Sequence, residues 1–291
     1  MPANEALVQT NEIRAGLVGR GIARSRTPAM HMAEGRAQGF DYTYEIIDMD
    51  HHAGSLTDVI EDAEKRGFAG LNVTYPFKVD VVALLDELSE NARALGAVNT
   101  VVFRDGKRLG HNTDLWGFSE SFRLGMTEAP TNEVLLIGAG GAGMAVGHAL
   151  LLFGVRKLWI YDTDRARGEA LTTSLMARFG EHRVEVTDQI EQIRAGLNGV
   201  VNATPVGMDK LPGCPFPKRL LRRNLWVTDI IYFPLDTELI TAAREAGCRV
   251  LTGGGMAVFQ AVRAFALITG MAPDPNRMRH AFEAHGQDSP S

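Results

Sequence analysis

A glycine-rich loop at residues 138–143 constrains the fold of this chain more than any other feature. Four apolar residues before it predict a buried strand, and an alanine-rich segment that Gly154 can end follows it. Gly138, Gly140 and Gly143 give the spacing Gly-x-Gly-x-x-Gly. In a strand–turn–helix unit, such glycines allow a sharp turn, close approach of a pyrophosphate and close packing of the helix on the strand. The phosphates then lie at the helix N-terminus, where free N–H groups and the helix dipole favour an anion.

The surroundings of this loop strengthen the dinucleotide interpretation. The motif on its own is weak, because flexible loops match it as well. Here a second strand-like run, residues 157–161, ends at Asp162, about twenty residues beyond the glycines, where this kind of fold places an acid that binds a ribose 2′-hydroxyl. We therefore predict a dinucleotide cofactor. Its predicted ligands are the loop residues Gly138, Ala139, Gly140, Gly141, Ala142 and Gly143, and Asp162.

Composition bounds the class of the protein. The chain has 291 residues, more than a single domain usually holds, and 45 % of them are hydrophobic, which is enough for more than one core. The formal net charge is −5 and the positive charges are scattered. Their densest group, at 218–223, is interpreted as a solvated turn. We therefore expect no nucleic-acid partner.

The cysteines and the apolar runs bear on the compartment. Cys214 and Cys248 have no metal-type spacing and are too few for a disulfide scaffold, so we expect a reducing compartment and no bound metal. Residues 1–12 are polar and lack the apolar core of a signal peptide, and no run has membrane-spanning length. We predict a cytoplasmic protein with no membrane partner.

Strands and helices alternate through the first half of the chain. Strand patterns cover 13–19, 42–47 and 68–74, with a helix pattern between the second and the third. This alternation predicts an α/β domain with a parallel-type sheet, in which ligands bind at the carboxyl ends of strands. Thr74, which ends a strand pattern, and Lys78 therefore lie where chemistry usually occurs.

The second half predicts a doubly wound, Rossmann-type domain. A polar, proline-containing connection at 125–132 precedes the glycine loop, and alternating patterns continue until Gly253–Gly255 break the chain before a helix at 256–269. Residues 286–291 are expected to form a frayed tail. The predicted domains are an N-terminal α/β substrate-binding domain at 1–124, a dinucleotide-binding domain at 125–252, and C-terminal helices at 253–291 that pack back on the substrate domain.

Several polar residues allow both a structural and a functional interpretation. Ser25 and Thr27 precede Pro28 at a predicted helix start, where Thr27 could cap the helix or both hydroxyls could hold a carboxylate. Lys78 lies among apolar residues, which suits a lysine general base, although a solvated lysine at a helix start is the common case. Asp114 could be a helix N-cap, a catalytic residue, or both.

Seven short motifs are spread along most of the chain. They are GRGIARSRTP at 19–28, NVTYPFK at 72–78, GAVNT at 96–100, GHNTD at 110–114, the glycine loop, NATPVGM at 202–208 and GGGMAVFQ at 253–260. In this order they resemble the shikimate dehydrogenase family, and most closely its quinate/shikimate dehydrogenase branch. The first five are highly specific.

The resemblance implies a reaction and a set of residues. Members of the family oxidise one ring hydroxyl of shikimate or quinate reversibly with NAD or NADP. Carried over position by position, Lys78 is the catalytic lysine, Asp114 is its hydrogen-bonded partner, and Ser25 and Thr27 hold the substrate carboxylate. The positions implied to bind the ring hydroxyls are Thr74, Asn99, Asp114 and Gln260, and Tyr232 matches a substrate-contacting position. We add Asp164, Thr204 and Gly253 to the predicted cofactor-binding residues.

Three departures from the family pattern bear on specificity. Thr27 stands where strict shikimate enzymes usually have serine, and members with threonine often accept quinate. Arg24 stands where many members have histidine and adds positive charge near the substrate carboxylate. The segment Asp162-Thr163-Asp164-Arg165 replaces the Asn-Arg-Thr of NADP-dependent members, so acids surround the place of a 2′-phosphate. We expect NAD, although Arg165 or Arg167 could still reach the phosphate of NADP.

Two other functions remain open. One is a dehydrogenase of a related cyclic acid, such as aminoshikimate, with the same fold and catalytic pair. The other is a protein that senses NAD without turnover, but sensing needs none of Lys78, Asn99 and Asp114. The expected partners are a small cyclic hydroxy acid and, at most, a second copy of the chain, as a monomer or homodimer.

Overall fold

The computed structural model describes residues 11–193 and 195–287, which fall into two compact units. The first unit contains the chain up to His111 and the chain from Ala264 onward, and the second runs from Asn112 to Arg263. Most of the predicted frayed tail, residues 288–291, lies outside the described residues. The predicted limits of the functional domains, at residues 124 and 252, stay predictions.

A six-stranded mixed sheet forms the centre of the first unit. Its strands in chain order are β1 (Glu12–Gly19), β2 (Asp41–Asp48), β3 (Gly70–Val73), β4 (Glu87–Leu88), β5 (Thr100–Arg104) and β6 (Lys107–His111). Their order in space is β2-β1-β3-β5-β6-β4. β1 pairs in parallel with β2 and β3, whereas β5 pairs antiparallel with β3 and β6. The predicted parallel arrangement therefore holds for the first three strands, and a hairpin extends the sheet beyond them.

The second unit is built on a six-stranded parallel sheet. Its strands are β7 (Glu133–Ile137), β8 (Lys157–Tyr161), β9 (Val184–Val186), β10 (Gly199–Asn202), β11 (Trp226–Asp229) and β12 (Arg249–Leu251). They lie in the order β12-β11-β10-β7-β8-β9, with every neighbouring pair parallel. The chain order reverses between β7 and β10, and a crevice at such a reversal binds ligands in doubly wound folds. The predicted Rossmann-type arrangement is confirmed.

The helices connect the strands and, in part, begin at side-chain caps. In chain order they are α1 (Thr27–Ala37), α2 (Leu56–Lys65), α3 (Glu90–Leu95), α4 (Asp114–Gly125), α5 (Gly141–Leu152), α6 (Arg165–Phe179), α7 (Ile190–Ile193), α8 (Glu238–Glu245), α9 (Gly254–Thr269) and α10 (Pro275–Gln287). Ser55 and Asp58 form a capping box at α2, and the side chains of Asp164 and Thr237 cap α6 and α8. Each cap satisfies a backbone N–H that the helix itself leaves without a partner.

Each unit buries its own apolar core. In the first unit Ile60, Leu71 and Val101 are fully buried, and in the second Leu135 and Val227 are. Burying such a side chain contributes roughly 1.5–3 kcal/mol, so each sheet is fixed by its own apolar contacts. None of the helices in the described part of the chain combines the length and the apolar character that a membrane span requires.

Candidate active site

The carboxyl ends of β1 and β3 lie side by side in the first unit. The two strands pair in parallel, and the N–H of Thr74 donates to the carbonyl of Val18 at 2.9 Å. A Cβ on Gly19 would stand 2.4 Å from Cγ2 of Thr74, so only glycine allows this approach. The loop that carries Ser25 and Thr27 therefore begins beside Thr74.

Ser25 and Thr27 form a pair of hydroxyls at the start of α1. The Ser25 hydroxyl donates to Oγ1 of Thr27 at 3.2 Å and accepts the N–H of Thr27 at 3.3 Å. Arg26, with φ −86° and ψ −4°, is the N-cap residue and already helical, and the start of α1 has no side-chain cap within the described residues. The capping role considered for Thr27 is therefore wrong, because the helical turn begins one residue earlier. Two adjacent hydroxyls at a helix start suit a carboxylate.

The loop after β1 is held by Asp48, a residue that the sequence reasoning missed. Its carboxylate accepts the N–H groups of Gly21 at 3.1 Å, Ile22 at 3.2 Å and Asp50 at 3.1 Å. These hydrogen bonds, above all the one from Asp50, hold the pKa of the Asp48 carboxyl below its ordinary value of 3.8. An aspartate at a strand end is a turn signal, but the sequence does not show that two of its donors lie 26 and 27 residues away.

Lys78 lies on the segment that follows β3 and is half-buried. Its carbonyl accepts the N–H of Val98 at 2.8 Å, which ties it to the chain that enters β5. The predicted apolar surroundings are only partly present. Val81 is fully buried, whereas Tyr75 and Val79 expose 75 % and 59 % of their surface. Neighbouring side chains point in different directions because the segment is a turn followed by a short 3₁₀ helix.

Asn99 lies opposite the carboxyl end of β3. Asn72 of β3 and Thr100 of β5 are antiparallel partners, so the residue before Thr100 stands beside the end of β3. Asn99 is 4 % exposed, and its Oδ1 accepts the Thr100 hydroxyl at 3.3 Å. The first unit thus brings Thr74, Lys78 and Asn99 to one edge of its sheet.

The glycine loop joins β7 to α5 in the second unit. Gly138 has φ +100°, and a Cβ on it would stand 2.8 Å from Cγ2 of Thr204. A Cβ on Gly143 would stand 2.0 Å from the carbonyl oxygen of Gly138. The Cβ positions of Gly140 and Gly141, by contrast, have no described atom within 4 Å. The start of α5, which includes Ala142 in its first turn, therefore faces open space.

Asp162 closes the loop after β8. Its Oδ2 accepts the N–H of Ala139 at 2.8 Å, and its Oδ1 accepts the N–H of Asp164 at 2.8 Å. Asp162 therefore holds the glycine loop while it stands at the place predicted for the ribose-binding acid.

Arg165 and Arg167, the cations that could reach a 2′-phosphate, both form ion pairs. Arg165 pairs with Glu169 at 2.8 Å and with Asp188 at 3.0 Å. Arg167 pairs at 3.2 Å with Asp164, whose side chain also caps α6. These exposed pairs are individually weak, but they place an acid beside each arginine.

A buried polar network follows β10 and β11 and was also missed by the sequence reasoning. Asn202 donates to Oδ1 of Asp229 at 3.1 Å and accepts the N–H and the hydroxyl of Thr204 at 3.0 and 2.7 Å. Oδ2 of Asp229 accepts the Thr237 hydroxyl at 2.8 Å. Burial raises the pKa of the Asp229 carboxyl. The network orients Thr204, a predicted cofactor residue, next to the strand-order reversal.

Gly253 lies against the segment that carries Tyr232. The N–H of Gly253 donates to the carbonyl of Ile231 at 3.2 Å, and a Cβ on Gly253 would stand 2.2 Å from the carbonyl oxygen of Ile230. Tyr232 exposes 41 % of its surface. The second unit therefore brings one predicted cofactor residue next to the chain segment of one predicted substrate residue.

Asp114 and Gln260 lie on two helices that approach closely, α4 and α9. A Cβ on Gly117 of α4 would stand 2.7 Å from the backbone nitrogen of Gln260. Asp114 is 7 % exposed and is the first residue of α4, and Oδ1 of Asn112 accepts the N–H of Leu115 at 3.3 Å. The N-cap role considered for Asp114 is therefore wrong, because the chain is already helical at the preceding residue. Its catalytic role stays a prediction.

Comparison with known proteins places these features in a family. A family model described as the shikimate dehydrogenase substrate binding domain matches residues 17–101. The chain is 46 % identical over 268 residues to a shikimate dehydrogenase (NADP(+)) of Streptomyces avermitilis. The aligned region covers 90 % of this chain and 92 % of that relative. It is 46 % identical over 278 residues to a quinate/shikimate dehydrogenase (NAD(+)) of Corynebacterium efficiens. Here the aligned region covers 94 % of this chain and 98 % of that relative.

A solved structure gives the same picture. The quinate dehydrogenase of Corynebacterium glutamicum in complex with NAD matches with a TM-score of 0.90 and 45 % identity, covering 94 % of this chain and 99 % of that chain. The relatives named for NAD and for NADP are equally identical to this chain. Overall identity therefore does not decide the cofactor, and the residues after β8 bear on it directly.

Proposed function

Since the chain belongs to the shikimate dehydrogenase family, we propose that it is an NAD-preferring quinate/shikimate dehydrogenase. It transfers a hydride reversibly between a ring hydroxyl of shikimate or quinate and the nicotinamide, with 3-dehydroshikimate or 3-dehydroquinate as the keto partner. Relatives named for shikimate and for quinate support this choice. The substrate class is a small cyclic hydroxy acid.

The observation that carries the proposal is the group of polar residues at the carboxyl end of β3. Backbone hydrogen bonds join Thr74 to β1 and Lys78 to the segment that leads into β5, and Asn99 stands opposite the end of β3. The hydroxyl pair of Ser25 and Thr27 belongs to the loop that begins beside Thr74. A cation, an amide and several hydroxyls together complement a hydroxylated carboxylate.

The residues of the second unit fit a nicotinamide dinucleotide. When bound, NAD supplies the acceptor for the hydride. The open positions at Gly140 and Gly141 and the closed ones at Gly138 and Gly143 support a cradle for the pyrophosphate. Each oxygen of Asp162 accepts one N–H, and a carboxylate oxygen has two lone pairs, so Asp162 keeps acceptor capacity for a ribose hydroxyl.

Lys78 is the proposed general base and acid. During oxidation of the substrate, its neutral amine accepts the proton of the reacting hydroxyl as hydride leaves the same carbon. In the reverse direction, its ammonium group returns that proton to the ketone oxygen. Asp114 is the second proposed catalytic residue and is proposed to assist this proton transfer. Acid–base assistance of this kind contributes roughly two to four orders of magnitude in rate.

Ser25 and Thr27 are proposed to bind the substrate carboxylate, and their mutual hydrogen bonds at 3.2 and 3.3 Å support this role. The methyl group that Thr27 adds over serine reshapes this part of the site, and we propose that it admits quinate as well as shikimate. The residues proposed to bind the ring hydroxyls are Thr74, Asn99, Asp114 and Gln260, and Tyr232 is proposed to contact the substrate.

Preference for NAD is proposed from the charges after β8. A 2′-phosphate at this place would meet the carboxylates of Asp162 and Asp164, and like charges at close range repel. Arg165 and Arg167 already pair with acids, so they offer little net positive charge. NAD, which has a hydroxyl there, meets no such repulsion.

The test of this function is an initial-rate comparison of four pairs, NAD or NADP with quinate or shikimate, on the purified protein. We expect kcat/KM to be highest with NAD and both acids to be oxidised. Turnover confined to shikimate with NADP would overturn the specificity arguments from Thr27 and Asp162. Aminoshikimate is tested as a third substrate. If the protein is instead a dehydrogenase of this related cyclic acid, it will prefer aminoshikimate over both quinate and shikimate.

Lys78→Ala is the matched control in the same assay. We expect it to lower kcat by roughly two to four orders of magnitude, because it removes the proton acceptor, while the dissociation constants of NAD and of the acid stay nearly unchanged. A wild-type protein that binds NAD but oxidises none of the acids would instead be a sensor.

We also propose a cytoplasmic location. Both cysteines are thiols: Cys214 donates to the carbonyl of Phe216 at 3.0 Å and Cys248 to that of Arg222 at 3.3 Å. Free thiols support a reducing compartment. A monomer or homodimer is proposed, and light scattering of the purified protein measures which it is.

A further inference from the structure

A chain of buried polar side chains lies behind Asn99 in the first unit. The Tyr44 hydroxyl donates to Oδ1 of Asn72 at 2.7 Å, and Nδ2 of Asn72 donates to Oγ1 of Thr100 at 3.0 Å. The Thr100 hydroxyl in turn donates to Oδ1 of Asn99 at 3.3 Å. Exposure is 8 % for Tyr44, 4 % for Asn72, 0 % for Thr100 and 4 % for Asn99. Little water reaches these groups, so they depend on one another for hydrogen bonds.

The direction of donation along this chain is fixed. Burial raises the pKa of the Tyr44 phenol well above its ordinary value of 10, so the phenol keeps its proton and donates it to Asn72. Nδ2 of Asn72 also donates to the backbone carbonyl of Asn99 at 3.3 Å, and a flipped Asn72 would set its own carbonyl oxygen there. Thr100 receives a hydrogen bond from Asn72 at 3.0 Å, and its own hydroxyl donates to Oδ1 of Asn99 at 3.3 Å.

We infer that Thr100 is a positioning residue that fixes the amide orientation of Asn99 for substrate binding. Oδ1 of Asn99 accepts from Thr100, so the amide presents its Nδ2 donor to the substrate rather than its oxygen. A donor at this place binds an oxygen of the ring. This inference rests on the proposed function, because it takes Asn99 as a substrate-binding residue.

Removing the Thr100 hydroxyl removes one hydrogen bond that favours this orientation of the Asn99 amide. The amide can then turn its oxygen toward the oxygen of the substrate. Protein molecules with the amide in this orientation bind the substrate poorly, because two acceptor oxygens face each other. The chemical step does not use Thr100. The loss therefore falls on substrate binding, whereas a purely structural role would affect the stability of the unit and every ligand alike.

The first experiment compares Thr100→Val with Thr100→Ser in steady-state kinetics. We expect Thr100→Val to raise KM for shikimate and quinate about ten-fold, with kcat changed less than about three-fold and KM for NAD unchanged. Thr100→Ser keeps the hydroxyl and should restore the wild-type KM. Thr228→Val is the matched control, because Thr228 is a buried strand threonine, 2 % exposed, whose hydroxyl has no partner within the described residues.

A second pair of variants keeps the test independent of how the valine side chain of Thr100→Val packs. Tyr44 and Tyr42 lie on the same strand with similar burial, but the Tyr42 hydroxyl is bonded to Nδ1 of His31 at 3.0 Å instead of to Asn72. Tyr44→Phe should raise KM for the acids about three-fold, since the Asn99 carbonyl still holds Asn72. Tyr42→Phe should leave it unchanged.

A double-mutant cycle shows whether Thr100 acts through Asn99. The dissociation constant of shikimate is measured by calorimetry for wild type, Asn99→Ala, Thr100→Val and the double variant. The expected result is that Thr100→Val weakens binding only when Asn99 is present. Equal loss in the Asn99→Ala background, an unchanged KM in Thr100→Val, or no rescue by serine overturns the inference. A wild-type protein that binds neither acid overturns the proposed function first, and that outcome is visible without any variant.

Discussion

At the scale of single residues, Arg24 is the cation of the loop after β1 that has no partner within the described residues. Its neighbours are engaged: Arg20 pairs with Asp50 at 2.8 Å, and the Arg26 guanidinium lies 4.7 Å from the ring centre of Phe282. Arg24 is exposed and directly precedes Ser25. Its charge therefore remains available to attract the carboxylate of the substrate.

Arg24→Ala should raise KM for both acids about two- to five-fold at low ionic strength and leave kcat unchanged, because an exposed charge contributes little more than about 1 kcal/mol. The difference from wild type should shrink as salt is added, since salt screens exposed charges. Arg24→Lys, which keeps the charge, serves as the control. A difference that persists unchanged at high salt would mean that Arg24 acts by packing instead.

At the scale of elements, the loop between β1 and α1 depends on the carboxylate that ends β2. Asp48→Asn replaces two acceptor oxygens with one, so the N–H groups of Gly21 and Ile22 lose part of their support. We expect a several-fold higher KM for the acids, an unchanged dissociation constant for NAD, and little change in kcat. Asp50→Asn is the matched control, because its carboxylate accepts from the side chain of Arg20 instead.

The same carboxylate gives the loop a dependence on acid. The folded-state pKa of Asp48 lies below the ordinary 3.8, so its stabilisation is present above pH 3.8 and is lost as pH falls further through the folded value. Loop order, followed by hydrogen exchange of Gly21 and Ile22, should therefore decline below pH 3.8 in wild type. An Asp50→Asn loop as disordered as that of Asp48→Asn at neutral pH would contradict this account.

The elements also show what the sequence could and could not predict. The strand pattern at 157–161 and the glycine loop depend only on neighbours along the chain. The structure agrees with both, since β8 covers 157–161 and the glycine loop joins β7 to α5. The antiparallel pairing of β5 with β3 was not predicted, because it depends on a distant partner. Asp48, Thr100 and Asp229 were missed for the same reason: their donors and acceptors come from other strands and loops. The roles of the predicted site residues remain predictions, because sequence and geometry locate a side chain but do not measure turnover.

At the scale of the whole molecule, each unit buries a neutral histidine. His31 in the first unit is fully buried, and burial lowers its pKa from 6.5 to about 3. His148 in the second unit is 1 % exposed, and burial lowers its pKa too, against the raising effect of its hydrogen bond to the Met144 carbonyl. In the unfolded chain both take up a proton more readily. Both units should therefore lose stability as the solution becomes acidic.

The acid sensitivity from His31 can be isolated by a variant. Between pH 6.5 and about 3 the unfolded chain binds the proton and the folded one does not, so the free energy of unfolding falls as pH falls, by about 2 kcal/mol at pH 5 relative to neutral pH. Asp229 acts with the opposite sign, because burial raises its folded-state pKa above 3.8: its contribution is present below pH 3.8 and is lost as pH rises through the folded value.

Urea unfolding of wild type and His31→Phe at pH 7 and pH 5 separates the contribution of His31 from that of the other groups, since Asp229 and His148 are common to both proteins. We expect the wild type to lose about 2 kcal/mol more than His31→Phe between these pH values, whereas replacing the exposed His52 with Gln should leave the wild-type dependence intact. An equal loss in wild type and His31→Phe would show that His31 takes up a proton in the folded unit, and the acid sensitivity would then have to come from other groups.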